Sequence, residues 1–266
     1  MLIVAERINT SRRSIAEAVA SGNAAFIQRE AEAQAQAGAD YIDVNAGTFL
    51  EQEADKLAWI IDAVQAVTDR PLCLDSASPD VLAAVLPRVG RPPMLNSVTL
   101  ESDRLERVLP LAIEAQAKLI ALCQSPKGPA ETAEAKVLVA DQLVEAAAAA
   151  GFPIEDLYVD PLVFPLATNT ASALETLQAI ETIRQRHPAV HTICGLTNVS
   201  YGLPARKLVN RTFLTAAVLK GLDAAILDPT DARLIGALKA ALLVTGQDEY
   251  GMGFIQAFKQ GSFDPN

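Results

Sequence analysis

Strands alternating with helices along all 266 residues predict an α/β fold, and eight such units predict a single closed (β/α)8 TIM barrel. Short apolar runs bounded by turn signals recur through the chain, as strands buried on both faces require. Segments with apolar residues at helical spacing separate them. Composition is even from end to end with no linker, so residues 1–266 read as one domain. An open doubly wound sheet is the alternative. It would carry a glycine-rich turn after its first strand, where this chain has Glu6-Arg7-Ile8-Asn9.

The first strand is 2–5, followed by that polar exit. Helical spacing runs through 24–38, with Phe26, Ala31 and Ala35 among its apolar positions and Gly38 as its stop. In the second strand, 41–46, alternation puts Asp43 and Asn45 on one face and Ile42 and Val44 on the other. Leu57, Ile60, Ile61 and Val64 stand one helical face apart in 53–67. The third strand ends on Asp75 and gives way to a helix over 79–89, with Pro79 suited to a first turn. The fourth strand, 93–98, carries Asn96 where the third has an acid. A helix over 105–117, a fifth strand over 118–123 and a loop signal at 124–128 follow. The alanine-rich helix 131–150 stops at Gly151, and the sixth strand, 158–163, carries Asp160. Helix 170–185, strand 191–195, helix 206–219, strand 224–229 and helix 232–244 complete the eight units before a tail from Gly246.

Composition excludes several classes. A net charge of −10 argues against nucleic acid or an anionic membrane as partner. No apolar run is long enough to span a bilayer, and the N-terminus meets Glu6-Arg7 too early for a signal peptide. Cys73, Cys123 and Cys194 each sit inside an apolar run as buried thiols, which with the missing leader predicts a cytoplasmic home.

Barrel enzymes carry their sites at the C-terminal strand ends. Those ends supply Glu6, Arg7 and Asn9, then Asp43, Asn45, Asp75, Asn96, Asp160, Asn198 and Asp228. Asp43 and Asp228 also suit structural pairing with Arg7, or capping. Asp75 and Asp160 lie on distant strands and converge only if the barrel closes. Carboxylates and amides at one mouth suit a flat heterocycle with several directional donors. No zinc-type set is present, since His187 ends a helix and His191 begins a strand at the opposite end. An oxygen-only magnesium site stays open on residue types alone. No strand ends on a lysine for Schiff-base chemistry, and no histidine stands at the mouth to activate a serine or cysteine.

Leu72-Cys73-Leu74-Asp75-Ser76, Leu95-Asn96-Ser97, Asp156 to Leu162, Gly195-Leu196-Thr197-Asn198-Val199-Ser200 and Asn210 to Leu214 resemble, in order and spacing, the methyltetrahydrofolate:corrinoid protein methyltransferases. Among these are the enzyme serving the corrinoid iron–sulfur protein of acetogens and the folate module of cobalamin-dependent methionine synthase. The resemblance implies a pterin-binding TIM barrel in which Asp75, Asn96 and Asp160 hold the pterin and Asn198 is the catalytic group at N5. Glu6, Asn9, Asp43, Asn45 and Arg206 would support them, with no metal. It further implies methyltetrahydrofolate or tetrahydrofolate as substrate, and a corrinoid (cobalamin) brought by a separate protein that docks at the barrel mouth. No Asp-x-His-x-x-Gly corrinoid motif occurs in the chain itself. A homodimer is expected on the same ground. Tyr201-Gly202-Leu203-Pro204 departs from the acetogen version, where a glutamine follows, and is more similar to the methionine synthase version. The alternatives are a dihydropteroate-synthase-like pterin enzyme and a non-catalytic folate-binding barrel.

Overall fold

A computed structural model describes residues 1–264, so the last two positions of the expected 1–266 unit lie outside the described residues. Eight parallel strands form one sheet: β1 (Leu2–Asn9), β2 (Tyr41–Asn45), β3 (Leu72–Asp75), β4 (Met94–Val98), β5 (Lys118–Leu122), β6 (Leu157–Asp160), β7 (His191–Thr192) and β8 (Ala224–Leu227). β8 pairs with β1, and pairing then follows chain order to β7. A parallel bridge between Gly195 and Ile226 closes the last gap, where the Ile226 N–H donates to the Cys194 carbonyl at 2.9 Å. The expected barrel is the one observed.

The helices are α1 (Arg13–Ser21), α2 (Ala24–Gln36), α3 (Glu53–Gln65), α4 (Pro79–Val85), α5 (Ser102–Glu114), α6 (Ala133–Ala149), α7 (Ser172–Arg186), α8 (Arg206–Leu219), α9 (Ala232–Val244) and α10 (Met252–Lys259). The helices between strands turn apolar stripes inward, and α10 packs on α9. On α3 the stripe is Leu57, Ile60, Ile61 and Val64, all fully buried. Burial of each such side chain stabilises the fold by about 1.5–3 kcal/mol. The lumen is filled separately by Val4, Cys73, Met94, Ile120, Tyr158, Ile193 and Ala224. That apolar plug makes the barrel a packed core with a site only at its end.

Five elements differ from the sequence reading. β1 continues to Asn9 through a register shift between Ala5 and Ile8, so Glu6 and Arg7 lie within the strand. A bulge there re-aims side chains at the mouth. α1 is an additional helix ahead of α2, and α10 occupies the expected tail. Gln124–Ser125 and Gly128–Pro129 form a small antiparallel hairpin where a loop was expected. Strand seven is only His191–Thr192, because Leu196–Ser200 turns into a 3-10 helix directly after it.

Candidate active site

Parallel register sets the floor plan. Asn9 is level with Asn45, Asn45 with Asp75, and Asp75 with Asn96, so β1 to β4 share one polar tier. Asp43 is level with Cys73 one tier deeper. Asp160 stands level with Leu122 across β5 and β6. The result is a mouth cavity of about 360 Å³ lined by Glu6, Asn9, Asp43, Asp75, Asn96, Asp160 and Asn198, with Leu122, Leu162 and Ile226 as apolar surface. Seven of the expected site residues therefore share one cavity. Asn45 and Arg206 are not among its lining residues and act from behind it.

Asn45 is held by its neighbours. Its amide nitrogen donates to the Asp75 carboxylate at 3.0 Å and to the Asp75 carbonyl at 3.2 Å, while its oxygen accepts from the Gly47 N–H at 3.0 Å. Arg206 braces the turn beside Asn198: its guanidinium donates to the Ser200 hydroxyl at 3.1 Å and to the Thr197 carbonyl at 2.9 Å. Asp228 is structural, accepting from Arg7 at 3.0 Å and from the Thr230 hydroxyl at 2.6 Å. Its burial works to raise its pKa and is outweighed by Thr230 and Arg7, which leave it lowered. The alternative pairing of Asp43 with Arg7 is not formed: Arg7 is committed to Glu30 and Asp228.

The mouth carboxylates are poorly compensated. Asp43 is buried, and its Oδ1 has no hydrogen-bond partner among the described residues. Burial, reinforced by the neighbouring Asp75, pushes its pKa well above the usual carboxylate range. Burial raises Asp75 to about 6 against the opposing hydrogen bond from Asn45. Asp160 is likewise raised to about 6 by burial, although the Leu162 N–H donates to its Oδ1 at 2.7 Å. Glu6 is also raised by burial, with Arg12 at 3.1 Å and the Thr197 hydroxyl at 3.1 Å pulling the other way. Four partly desolvated acids at one mouth, one of them with the orphaned Asp43 Oδ1, form a set that a donor-rich ligand would complete.

Asn198 has the opposite character. It is exposed at the cavity, and among the described residues its side-chain amide makes no hydrogen bond. Gly195 makes room for it: a Cβ there would stand 3.0 Å from the Asn198 amide nitrogen. Arg12 and Thr197 also line the cavity, and neither is assigned to the site from the sequence. Arg12 follows the strand end by several residues, and a threonine beside an asparagine carries no signal of its own. Among the described residues no group of three or more His, Cys, Asp or Glu is arranged to hold a metal ion. No helix among them is long and apolar enough to cross a membrane.

Comparison with known proteins agrees with a heterocycle site. A profile of the pterin binding enzyme family matches residues 5–228. The methylcorrinoid:tetrahydrofolate methyltransferase of Eubacterium limosum is 38% identical over 267 aligned positions, covering 100% of this chain and 98% of that protein. The methionine synthase of Mycobacterium leprae (strain TN) is 34% identical over 199 residues, 70% of this chain and 16% of that longer protein. Among solved structures, the 7,8-dihydropteroate synthase of Vibrio fischeri ES114 superposes with a TM-score of 0.68 at 16% identity, covering 92% of this chain and 93% of that one. The dihydropteroate synthase of Xanthomonas albilineans in complex with 7,8-dihydropteroate gives 0.64 at 18% identity, covering 92% and 93%. At such identities the superpositions show a shared barrel.

Proposed function

The chain belongs to the pterin-binding enzyme family, and from that premise we propose that it moves a methyl group between the N5 nitrogen of tetrahydrofolate and the cobalt of a corrinoid carried by a separate protein. The observation that carries this reading is the convergence of Asp75, Asn96, Asp160 and Asn198 on one cavity. Asp75, Asn96 and Asp160 offer the acceptors and the amide that the pyrimidine edge of a pterin needs. The Asp43 Oδ1, without a partner among the described residues, supports a further ligand donor at that position. A diphosphate-bearing pterin, as a dihydropteroate synthase reading requires, fits less well. Among the described lining residues Arg12 is the one cation, and Glu6 already holds it.

The difficult step is the C–N bond at N5. A tertiary amine releases its methyl only when the nitrogen is protonated or hydrogen-bonded as the bond breaks. In the reverse direction N5 must keep its lone pair free for the incoming methyl, and lose a proton afterwards. An amide serves both states, since its NH2 donates to a lone pair and its carbonyl accepts from N–H. Asn198 is uncommitted among the described residues and is assigned that role. Asparagine cannot supply the proton at neutral pH, so solvent at the open mouth exchanges it. The corrinoid, brought by its docked carrier, supplies the cobalt that gives or takes the methyl.

The name of the E. limosum relative runs from methylcorrinoid to tetrahydrofolate, and we assign the same direction here on the full-length match. Mixing the protein with methylcobalamin and tetrahydrofolate should give methyltetrahydrofolate by mass spectrometry, with loss of the methylcobalamin absorbance. Tight tetrahydrofolate binding with no methyl transfer, with free cobalamin and with a corrinoid carrier protein alike, would favour a non-catalytic folate-binding barrel. The expected homodimer would use the α8–α9 face, an apolar hollow of about 510 Å³ flanked by Leu219 and Val244, which are 69% and 84% exposed. Light scattering at twice the chain mass supports it, and Val244→Glu should then give monomers.

A further inference from the structure

Lys136 is fully buried on α6, a position at which lysine is almost never found unless paired. Among the described residues its ammonium faces no carboxylate at ion-pair distance. Instead its three donors go to three backbone carbonyls: Ala130 at 2.9 Å, Pro161 at 2.7 Å and Leu162 at 2.7 Å. The Phe164 ring lies 4.8 Å from the nitrogen. Three donors and three acceptors exhaust what an ammonium can give.

Those carbonyls belong to the loops that follow β5 and β6. The segment after β6 has left the sheet, so side chains must satisfy its backbone. Ser172 accepts from the Phe164 N–H at 2.7 Å, and Thr176 donates to the Leu162 carbonyl at 3.3 Å. Leu162 holds a left-handed backbone, φ 59°, a conformation that a non-glycine residue adopts only when its surroundings hold it there. In that conformation its N–H points back to the Asp160 carboxylate at 2.7 Å, and its side chain lines the mouth.

We infer that Lys136 is a positioning residue for ligand binding: by holding the Pro161 and Leu162 carbonyls it fixes the turn that aims the Asp160 carboxylate into the mouth cavity. This deepens the pterin reading and rests on it. The groups that face the ammonium electrostatically are the Cys123 thiol on the β5 side, Asp160, Glu175 on α7 and Glu131 ahead of α6. Asp160 is the one among them that lines the cavity. Lys136 therefore acts on Asp160 twice, through the turn and through its charge.

A double-mutant cycle tests this by calorimetric titration of tetrahydrofolate into Lys136→Met, Asp160→Asn and the double variant. Lys136→Met should weaken binding about tenfold in the native background and less than about twofold where Asp160 is already Asn, as coupled neighbours do. The pH below which binding is lost should also move upward in Lys136→Met, because the positive charge that favours the Asp160 carboxylate is gone. Equal losses in both backgrounds, or unchanged affinity in a folded variant, would overturn the inference. If Lys136→Met does not fold, Lys136→Gln is read the same way. A chain that folds with neither makes Lys136 a folding requirement and removes the positioning claim. Failure of the unaltered protein to bind tetrahydrofolate would instead sink the pterin reading itself.

Discussion

At the floor of the barrel, where the strands begin, charges are paired off. Lys118 meets Asp156 at 2.6 Å and lies 5.5 Å from the Tyr158 ring centroid. His191 stacks on Tyr158 with centroids 4.7 Å apart and contacts Asp223 at 2.7 Å, while Asp223 also accepts from the Thr192 N–H at 2.8 Å. Asp40 accepts from the Ile3 N–H at 2.8 Å. At the mouth, Asp43, Asp75, Asp160 and Glu6 crowd together, with Arg12 as the one lining cation among the described residues. Carboxylates stand at both ends of the barrel. Where polar groups satisfy one another they hold the fold. Where they are left wanting, the fold is held despite them, as sites trade stability for readiness to bind.

The sharpest break of that contrast is at Asn198, a mouth residue with nothing to hold. Asn198→Ala should lower methyl transfer by roughly two orders of magnitude while leaving tetrahydrofolate affinity within about tenfold, since the lost contact matters chiefly as the bond changes. The melting temperature should not fall, because no protein hydrogen bond is removed. Unchanged turnover, measured by mass spectrometry of methyltetrahydrofolate, would take Asn198 out of the mechanism.

The carboxylates come next. Removing the charge at Asp75 or Asp160 by substitution with Asn should weaken tetrahydrofolate binding by about 10–100-fold, the range of a hydrogen bond to a charged group. It should also raise the melting temperature by a few degrees, on the scale of about 2–4 °C per kcal/mol for a chain of this size. The sign follows from burial, which raises both pKa values to about 6. The folded chain then holds these protons more tightly than the unfolded chain, whose carboxylates titrate near ~4. Their contribution to stability is full below that value and is lost as pH rises through about 6. Ligand-free protein should thus lose stability over that window, and Asp75→Asn should flatten the loss. A melting profile that rises through the same window would show these acids to be compensated after all.

The barrel was legible because its signals are repeated: buried strands and amphipathic helices recur unit after unit. α1 escaped because it is short, and Arg12 ahead of it makes no side-chain cap. Strand alternation placed Asp43 and Asn45 on one face, and of the two only Asp43 lines the cavity. Register then separates them, since it sets Asn45 level with Asp75 and commits its amide there. Asp228 offered either structure or function, and only the guanidinium of Arg7, from a strand adjacent in space but 221 positions away, settles it as structural. Lys136 was invisible for a related reason. A lysine in an alanine-rich helix reads as part of a solvated face, and its three carbonyl partners come from loops that periodicity does not describe.

Lys118 gives the converse of the mouth substitutions, and the smallest effect. It begins β5, at the far end of that strand from Leu122 in the cavity lining. Lys118→Met removes a half-exposed ion pair, worth about 0.2–1 kcal/mol, and a cation–ring contact of about 0.5–1 kcal/mol. The methionine keeps most of the apolar stem, so packing on Tyr158 is retained. Stability should therefore drop by about 1 kcal/mol, a fall of roughly 2–4 °C in melting temperature. Methyl transfer and tetrahydrofolate affinity should stay within about twofold, because no mouth residue touches this pair. A floor substitution that lowered turnover at unchanged stability would mean that the apolar plug between the two ends transmits more than it separates. Val4, Cys73, Met94 and Ile120 would then be the side chains to vary next, since they fill the lumen between Lys118 and the carboxylates.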